Sequence, residues 1–91
     1  MGDFFMEELV TYVLYSKKFD KIYIGFTSSI IQRFYSHNLL ATKGYTIKFR
    51  PWMVILVEFH KSKTEALKRE KFLKSGKGRE MIKTQILPNY I

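Results

Sequence analysis

Val10-Thr11-Tyr12-Val13-Leu14-Tyr15-Ser16, then Lys17-Lys18-Phe19-Asp20, then Lys21-Ile22-Tyr23-Ile24-Gly25-Phe26: these three stretches decide the fold. The outer two are β-branched and aromatic and the middle one is polar, so residues 10–16 and 21–26 read as two strands around a turn. So short a connection predicts an antiparallel hairpin, because a parallel pair needs a crossover of about a dozen residues or more. Register follows from turn length. With an even turn, Ser16 opposite Lys21, Leu14 faces Tyr23 and Tyr12 faces Gly25. Partners across strands share a face, so Tyr12, Leu14, Tyr23 and Gly25 fall together and Tyr15 falls on the other side. An odd turn would exchange Tyr12 for Tyr15. Gly25 leaves a gap beside two phenols, and a glycine within a strand often marks close approach of a ligand or of another backbone. Aromatic strand residues packing as plain core is the commoner arrangement.

Beyond the hairpin, Ser29 and Gln32 have capping-box spacing, and Ile30, Ile31, Phe34 and Tyr35 form an apolar stripe that predicts a helix to about Leu40. Residues 41–50 are polar and basic with Gly44, as in a loop. Pro51 marks the entry to a third strand, Trp52–His60. Its unbroken run Trp52-Met53-Val54-Ile55-Leu56-Val57 predicts a central strand buried on both faces. Ser62 and Glu65 make a second capping box, opening a helix from Lys63 to about Lys74 that stops at Ser75-Gly76. A last short helix is expected over about 78–86, before Pro88. The order β-β-α-β-α-α predicts an α+β domain, a small three-stranded antiparallel sheet flanked by helices. It would span residues 10–86, with an N-terminal extension over 1–9 and a tail over 87–91.

The chain has 91 residues and no cysteine, which sets one domain and excludes disulfides, thiolate nucleophiles and zinc-finger chemistry. At this length roughly 60–65% of the unfolded surface is buried, so the core is thin. Apolar residues at 46% and aromatics at 16% exclude a disordered tail. A six-residue apolar run cannot span a bilayer, where a helix needs about 20. The start, Met1-Gly2-Asp3-Phe4-Phe5-Met6-Glu7-Glu8, is acidic where a signal peptide is basic, and Met6 breaks the myristoylation pattern. A soluble cytoplasmic protein is the expectation. The net charge is +8, with residues 1–9 acidic and the remainder strongly basic. A sequence pI near 9.8 points to a polyanionic partner, nucleic acid ahead of an anionic membrane.

Three groups of polar residues sit where a core would not want them. Glu70 lies four residues after Ala66 and three before Leu73, so it shares the stripe expected for Ala66, Leu67 and Leu73, while Glu65 and Arg69 pair on the outer face. An inward carboxylate needs a base, as in an internal salt bridge, or a cation, and Mg²⁺ is often held by only one or two carboxylates with water and phosphate. Arg33 and His37 stack four apart beside the first helix's apolar stripe. One suits phosphate and the other moves protons near neutral pH, though a solvated polar face would look the same. The tyrosines of the hairpin are the third group. His60 reads as a surface residue, and Gly76-Lys77-Gly78 lacks phosphate-loop spacing and reads as helix punctuation.

Taken in order, Tyr12-Val13-Leu14-Tyr15-Ser16, Tyr23-Ile24-Gly25-Phe26-Thr27-Ser28, Arg33 to Asn38, Pro51-Trp52 and Thr64-Glu65-Ala66-Leu67-Lys68-Arg69-Glu70-Lys71 resemble the GIY-YIG nuclease superfamily over roughly residues 10–83. They look closest to small stand-alone bacterial URI-type endonucleases, and are similar more distantly to the N-terminal nuclease half of the excision-repair incision subunit. The first family motif falls on Val10-Thr11-Tyr12 with only the tyrosine kept, and the second is intact as Tyr23-Ile24-Gly25. Phe26 stands where the repair enzyme's version has a lysine, and the late asparagine of some relatives has no counterpart.

The resemblance implies phosphodiester hydrolysis in nucleic acid, DNA ahead of RNA, with a single Mg²⁺ or Mn²⁺ on Glu70. It implies that Arg33 neutralises phosphoryl charge, that Tyr12 activates water directly or through His37, and that Tyr23 orients water or phosphate. Lys68, Lys71, Lys74 and Lys77 would track the nucleic-acid backbone. Two other readings stay open: a binding module with the nuclease shape and no turnover, and a protein adaptor using Phe4-Phe5-Met6-Glu7-Glu8.

Overall fold

The computed structural model describes residues 9–35, 38 and 45–91. Strands β1 (Leu9–Ser16) and β2 (Lys21–Thr27) lead into helix α1 (Ile30–Tyr35), and a 3-10 turn over Tyr45–Phe49 precedes strand β3 (Met53–His60). Helix α2 (Lys63–Lys74) follows, then α3 (Gly76–Met81), which runs on through a π turn (Ile82–Ile86) into a 3-10 turn (Leu87–Asn89). The last helical stretch is therefore longer than the expected 78–86. The sheet is antiparallel in the order β2-β1-β3, giving the expected α+β architecture. The N-terminal segment before Leu9, the expected continuation of α1 to Leu40, and His37 lie outside the described residues.

The hairpin has the even turn. Ser16 pairs with Lys21, Leu14 with Tyr23 and Tyr12 with Gly25. The turn closes at Asp20, whose φ of 54° is in the left-handed region that aspartate tolerates better than most residues. Alternation then sorts the strands onto two cores. Val13, Tyr15, Ile24 and Ile55 pack against Leu73, Ile82 and Leu87 on the side of α2 and α3. Val10, Tyr12, Leu14 and Trp52 form the other core, covered by Ile30 and Phe34 of α1 and by Phe49.

β1 is the central strand, buried from Val10 to Ser16. β3, expected at the centre, is an outer strand in which only Ile55 is fully buried. Its apolar run is continuous for two other reasons. Helices or turns cover both faces of the sheet, so Val54 and Val57 serve one core while Met53 and Leu56 serve the other. A bulge also breaks the pairing with β1 between Val13 and Leu14, leaving Ile55 as the extra residue. Ile55 and Leu56 consequently pack on the same side, and strict alternation is lost.

Both expected punctuation signals at α2 appear. Ser62 caps its start, accepting from the Glu65 backbone N–H at 3.2 Å, while a Glu65 carboxylate oxygen accepts from the Lys61 N–H at 3.3 Å. Ser75 ends α2 and also caps α3, accepting from the Gly78 N–H at 3.2 Å. Of the two nearby glycines, only Gly78 is sterically required. A Cβ there would overlap the Phe72 carbonyl oxygen and the Leu73 backbone, whereas one on Gly76 meets nothing within 4 Å. Gly78→Ala is therefore expected to destabilise the fold by about 1–3 kcal/mol. Gly76→Ala should change stability by less than about 0.5 kcal/mol. Urea unfolding of both variants checks the contrast, and equal losses would overturn it.

Candidate active site

Three elements converge on Gly25. β1 brings Tyr12, which is fully buried, and β2 brings Tyr23, half-buried, with ring centres 6.3 Å apart. Trp52 continues the cluster at 6.3 Å from the Tyr23 ring, edge-on, and its indole N–H donates to the Thr46 carbonyl at 2.8 Å. The Tyr12 ring crosses directly over Gly25. A Cβ on that glycine would stand 2.5 Å from the Tyr12 hydroxyl oxygen and 2.6 Å from Cζ. The gap beside the tyrosines is thus filled by the phenol itself, and glycine is the one residue that admits it.

Arg33, on α1 and exposed, hydrogen-bonds the Tyr12 hydroxyl. Burial, first, and the neighbouring Tyr23 push the Tyr12 phenol up to about 12; Arg33 pulls it down in part, and the negative charge of Glu70 adds to the rise. Tyr23, Arg33 and Glu70 therefore all act electrostatically on the Tyr12 phenol. Tyr15 is on the opposite face, as an even turn requires, where its hydroxyl donates to Asp20 Oδ1 at 2.9 Å.

The Tyr12 value sets a pH window. An unfolded tyrosine releases its proton near 10, while the folded phenol keeps it to about 12. The folded state then binds more protons between these values, so this group leaves stability untouched below about pH 10 and lowers it as the pH rises toward 12. The stability advantage of the wild type over Tyr12→Phe is expected to shrink across that window in urea unfolding. An advantage that stays constant would contradict the assignment.

Glu70 is held by α2, and three hydrogen bonds from two residue pairs fix that helix to the sheet around it. The buried Thr11 hydroxyl donates to the Ala66 carbonyl at 2.9 Å, one turn before Glu70. Arg69 grips Glu58 of β3 with both Nε and Nη2, at 2.7 and 3.0 Å. Arg69 was expected to pair with Glu65 instead; the sheet carboxylate wins because it matches the guanidinium fork bidentately. Ala66 and Leu73 are buried as expected, but Leu67 is 41% exposed. Leu67 sits about 100° around the helix from Ala66, outside the narrow contact with the sheet. The Glu70 side chain is 19% exposed and pairs through Oε2 with Lys74 Nζ at 3.2 Å.

Lys68, Lys71, Lys74 and Lys77 are all exposed. Lys74 borders Glu70, whereas Lys68 lies about 160° around α2 from it. His60, on β3, is half-buried. Nothing in the sequence announces a partner for Asn38, yet its amide donates to the Trp52 carbonyl at 3.0 Å and its side-chain oxygen accepts from the Trp52 N–H. That two-way clasp ties Asn38 to the residue just before β3. A lone polar residue past an apolar stripe reads as surface, so only the fold reveals the pairing.

Among the described residues no group of three or more His, Asp or Glu gathers as a metal cluster. A closed metal cage would not fit here. A hard divalent cation on one carboxylate, completed by water and substrate phosphate, does fit Glu70, whose Oε1 makes no ion pair among the described residues. No described helix is long and apolar enough to cross a membrane.

Comparison with curated proteins and with solved structures returns no match. The model of the GIY-YIG catalytic domain, a nuclease family, matches residues 8–83. That range begins just before β1 and ends inside the last helical stretch, so it holds every element that meets at Gly25. The chain belongs to the GIY-YIG catalytic domain family.

Proposed function

We propose that this chain is an endonuclease that hydrolyses phosphodiester bonds, in DNA ahead of RNA, with one Mg²⁺ or Mn²⁺ held by Glu70. The observation that carries the reading is the charge constellation on Tyr12: a guanidinium bonded to a buried phenol, with a carboxylate acting on the same group. Family membership supports nuclease chemistry in general. The cation, when bound, supplies positive charge beside the scissile phosphate and the leaving oxygen.

The protein's own groups do the rest. Arg33 donates to the phosphoryl oxygens as charge builds on them. Tyr12, protonated at neutral pH and without exposed surface, is a positioning residue that aims Arg33. This departs from the sequence-based expectation that Tyr12 activates water. Tyr23, half-buried at the same place, orients the attacking water. His37, four residues after Arg33, accepts the proton, since an imidazole titrates near neutrality and a phenol at about 12 does not. Lys68, Lys71, Lys74 and Lys77 contact the backbone phosphates.

A plasmid-nicking assay with Mn²⁺ tests the reading on wild type and Glu70→Ala. Nicking by the wild type and its loss in the variant is the expected result. Equal nicking by both would assign the cutting to a contaminant. One observation favours the second reading, a nucleic-acid-binding module without turnover: Lys74 already pairs with Glu70 and offsets the charge that would hold a cation. Salt-dependent binding with no cleavage under any divalent ion would select it.

A further inference from the structure

A cleft of about 450 Å³ opens between the β1–β2 turn and the C-terminal helices, lined by Asp20, Lys21, Ile22, Arg79, Lys83 and Leu87. Its floor is apolar, from Ile22 and Leu87, both of which belong to the core on the side of α2 and α3. Its walls carry the side chains of Arg79 and Lys83 against one acid, Asp20, which accepts the Tyr15 hydroxyl at 2.9 Å, while the Lys21 ammonium lies over the Phe49 ring, 5.5 Å from its centre. Arg79 commits only Nε, to the Lys74 carbonyl at 3.2 Å, and that bond fixes the guanidinium at the end of α2. Neither Arg79 nor Lys83 is in an ion pair among the described residues. They stand four apart in the helical stretch, so they present their charges side by side. Net positive and partly preorganised charge in a concave site suits a phosphate group.

The cleft floor belongs to the face of the sheet that packs on α2 and α3, whereas Gly25 lies under the Tyr12 ring on the opposite face, so the two are separate places along the outer strand β2. We infer that the Arg79–Lys83 cleft holds a backbone phosphodiester of the bound nucleic acid, apart from the bond at the Gly25 site. This rests on the nuclease reading for that bond only; the cleft itself is a claim about binding.

The test is equilibrium binding of a short labelled DNA duplex to the full chain across a salt series. Each lost phosphate contact lowers the slope of log K against log salt by about 0.9. Lys83→Gln is expected to lower it by about 0.9 and the Arg79→Gln/Lys83→Gln pair by about 1.8, with Lys63→Gln, outside the cleft, leaving it unchanged. Lys83 makes no side-chain hydrogen bond or ion pair among the described residues, so its single variant guards against a loss caused by misfolding. Cleft variants that shift the slope no more than Lys63→Gln overturn the inference. So does a wild type that binds inorganic phosphate through these residues while its DNA slope is indifferent to them. Wild type that shows the expected slope changes but never nicks DNA supports the cleft and removes the nuclease reading. Wild type that nicks, with an unchanged slope in the variants, removes the cleft alone.

Discussion

Replacing Arg33 with alanine is expected to slow strand cleavage by about 10²–10³-fold, the usual cost of removing one preorganised donor to a developing oxyanion. The effect should fall on the single-turnover rate, because one of many positive charges contributes little to binding the polyanion while this one contacts charge that grows in the transition state. Arg33→Lys should recover only part of the loss. Arg33 bonds the Tyr12 hydroxyl and faces outward as well, a two-sided use that needs a planar fork with several donors. An ammonium can hold one partner well or both poorly.

Tyr12→Phe separates two explanations of the same loss. A phenol that only aims Arg33 predicts a smaller defect, and predicts that adding Tyr12→Phe to Arg33→Ala costs nothing further. A phenol that itself handles the proton predicts that the two defects multiply. Single-turnover rates for the wild type, both single variants and the double variant decide. Arg33→Ala that cleaves within about threefold of the wild type would remove Arg33 from the chemistry altogether.

The pairing of Tyr12 with Gly25 was more legible in the sequence than the order of the strands. The parity of a four-residue turn is a local property, and it alone puts Tyr12 and Gly25 opposite each other and sends Tyr15 to Asp20. Capping by Ser62 is equally local. The order of strands is not. An apolar run from Trp52 to Val57 is what a strand shows when both faces are covered, whether it lies at the centre or at the edge, and the bulge at Ile55 removes the alternation that might have separated the cases. Long-range polar pairs were illegible for a similar reason. Nothing near Arg69 in the sequence announces Glu58, and nothing near Asn38 announces the Trp52 backbone. Gly78 passed for punctuation because a glycine that admits a neighbouring backbone looks in sequence like one that ends a helix.

Thr11 shows how a departure from the family motif can be structural. Its hydroxyl is buried and holds the Ala66 carbonyl, and Val10 beside it is in the core. Neither residue is free to be polar or mobile, and Thr11 helps to set the helix that carries Glu70. The altered first motif thus bears on how α2 is anchored, while the tyrosine that follows keeps its place over Gly25.

Gly25→Ala is expected to have the largest effect on the site and the fold together. A methyl group would meet the Tyr12 oxygen at 2.5 Å and Cζ at 2.6 Å, well inside van der Waals contact. The phenol cannot move aside cheaply, since Tyr12 is fully buried among Val10, Leu14 and Trp52 with Tyr23 against its ring. Overpacking of this kind costs about 1–3 kcal/mol, a large share of the stability of so small a domain. The same displacement pulls the hydroxyl from Arg33, so cleavage should fall toward the level of Arg33→Ala. A double-mutant cycle isolates the cause. In a Tyr12→Leu background the colliding ring atoms are gone, and the stability cost of Gly25→Ala should drop to a few tenths of a kcal/mol, giving a coupling energy of about 1–2 kcal/mol between the two positions. Urea unfolding of the four proteins measures it. If Gly25→Ala costs as much without the ring as with it, the glycine serves the strand backbone and not the phenol, and the account of how Tyr12 and Arg33 are brought together is wrong.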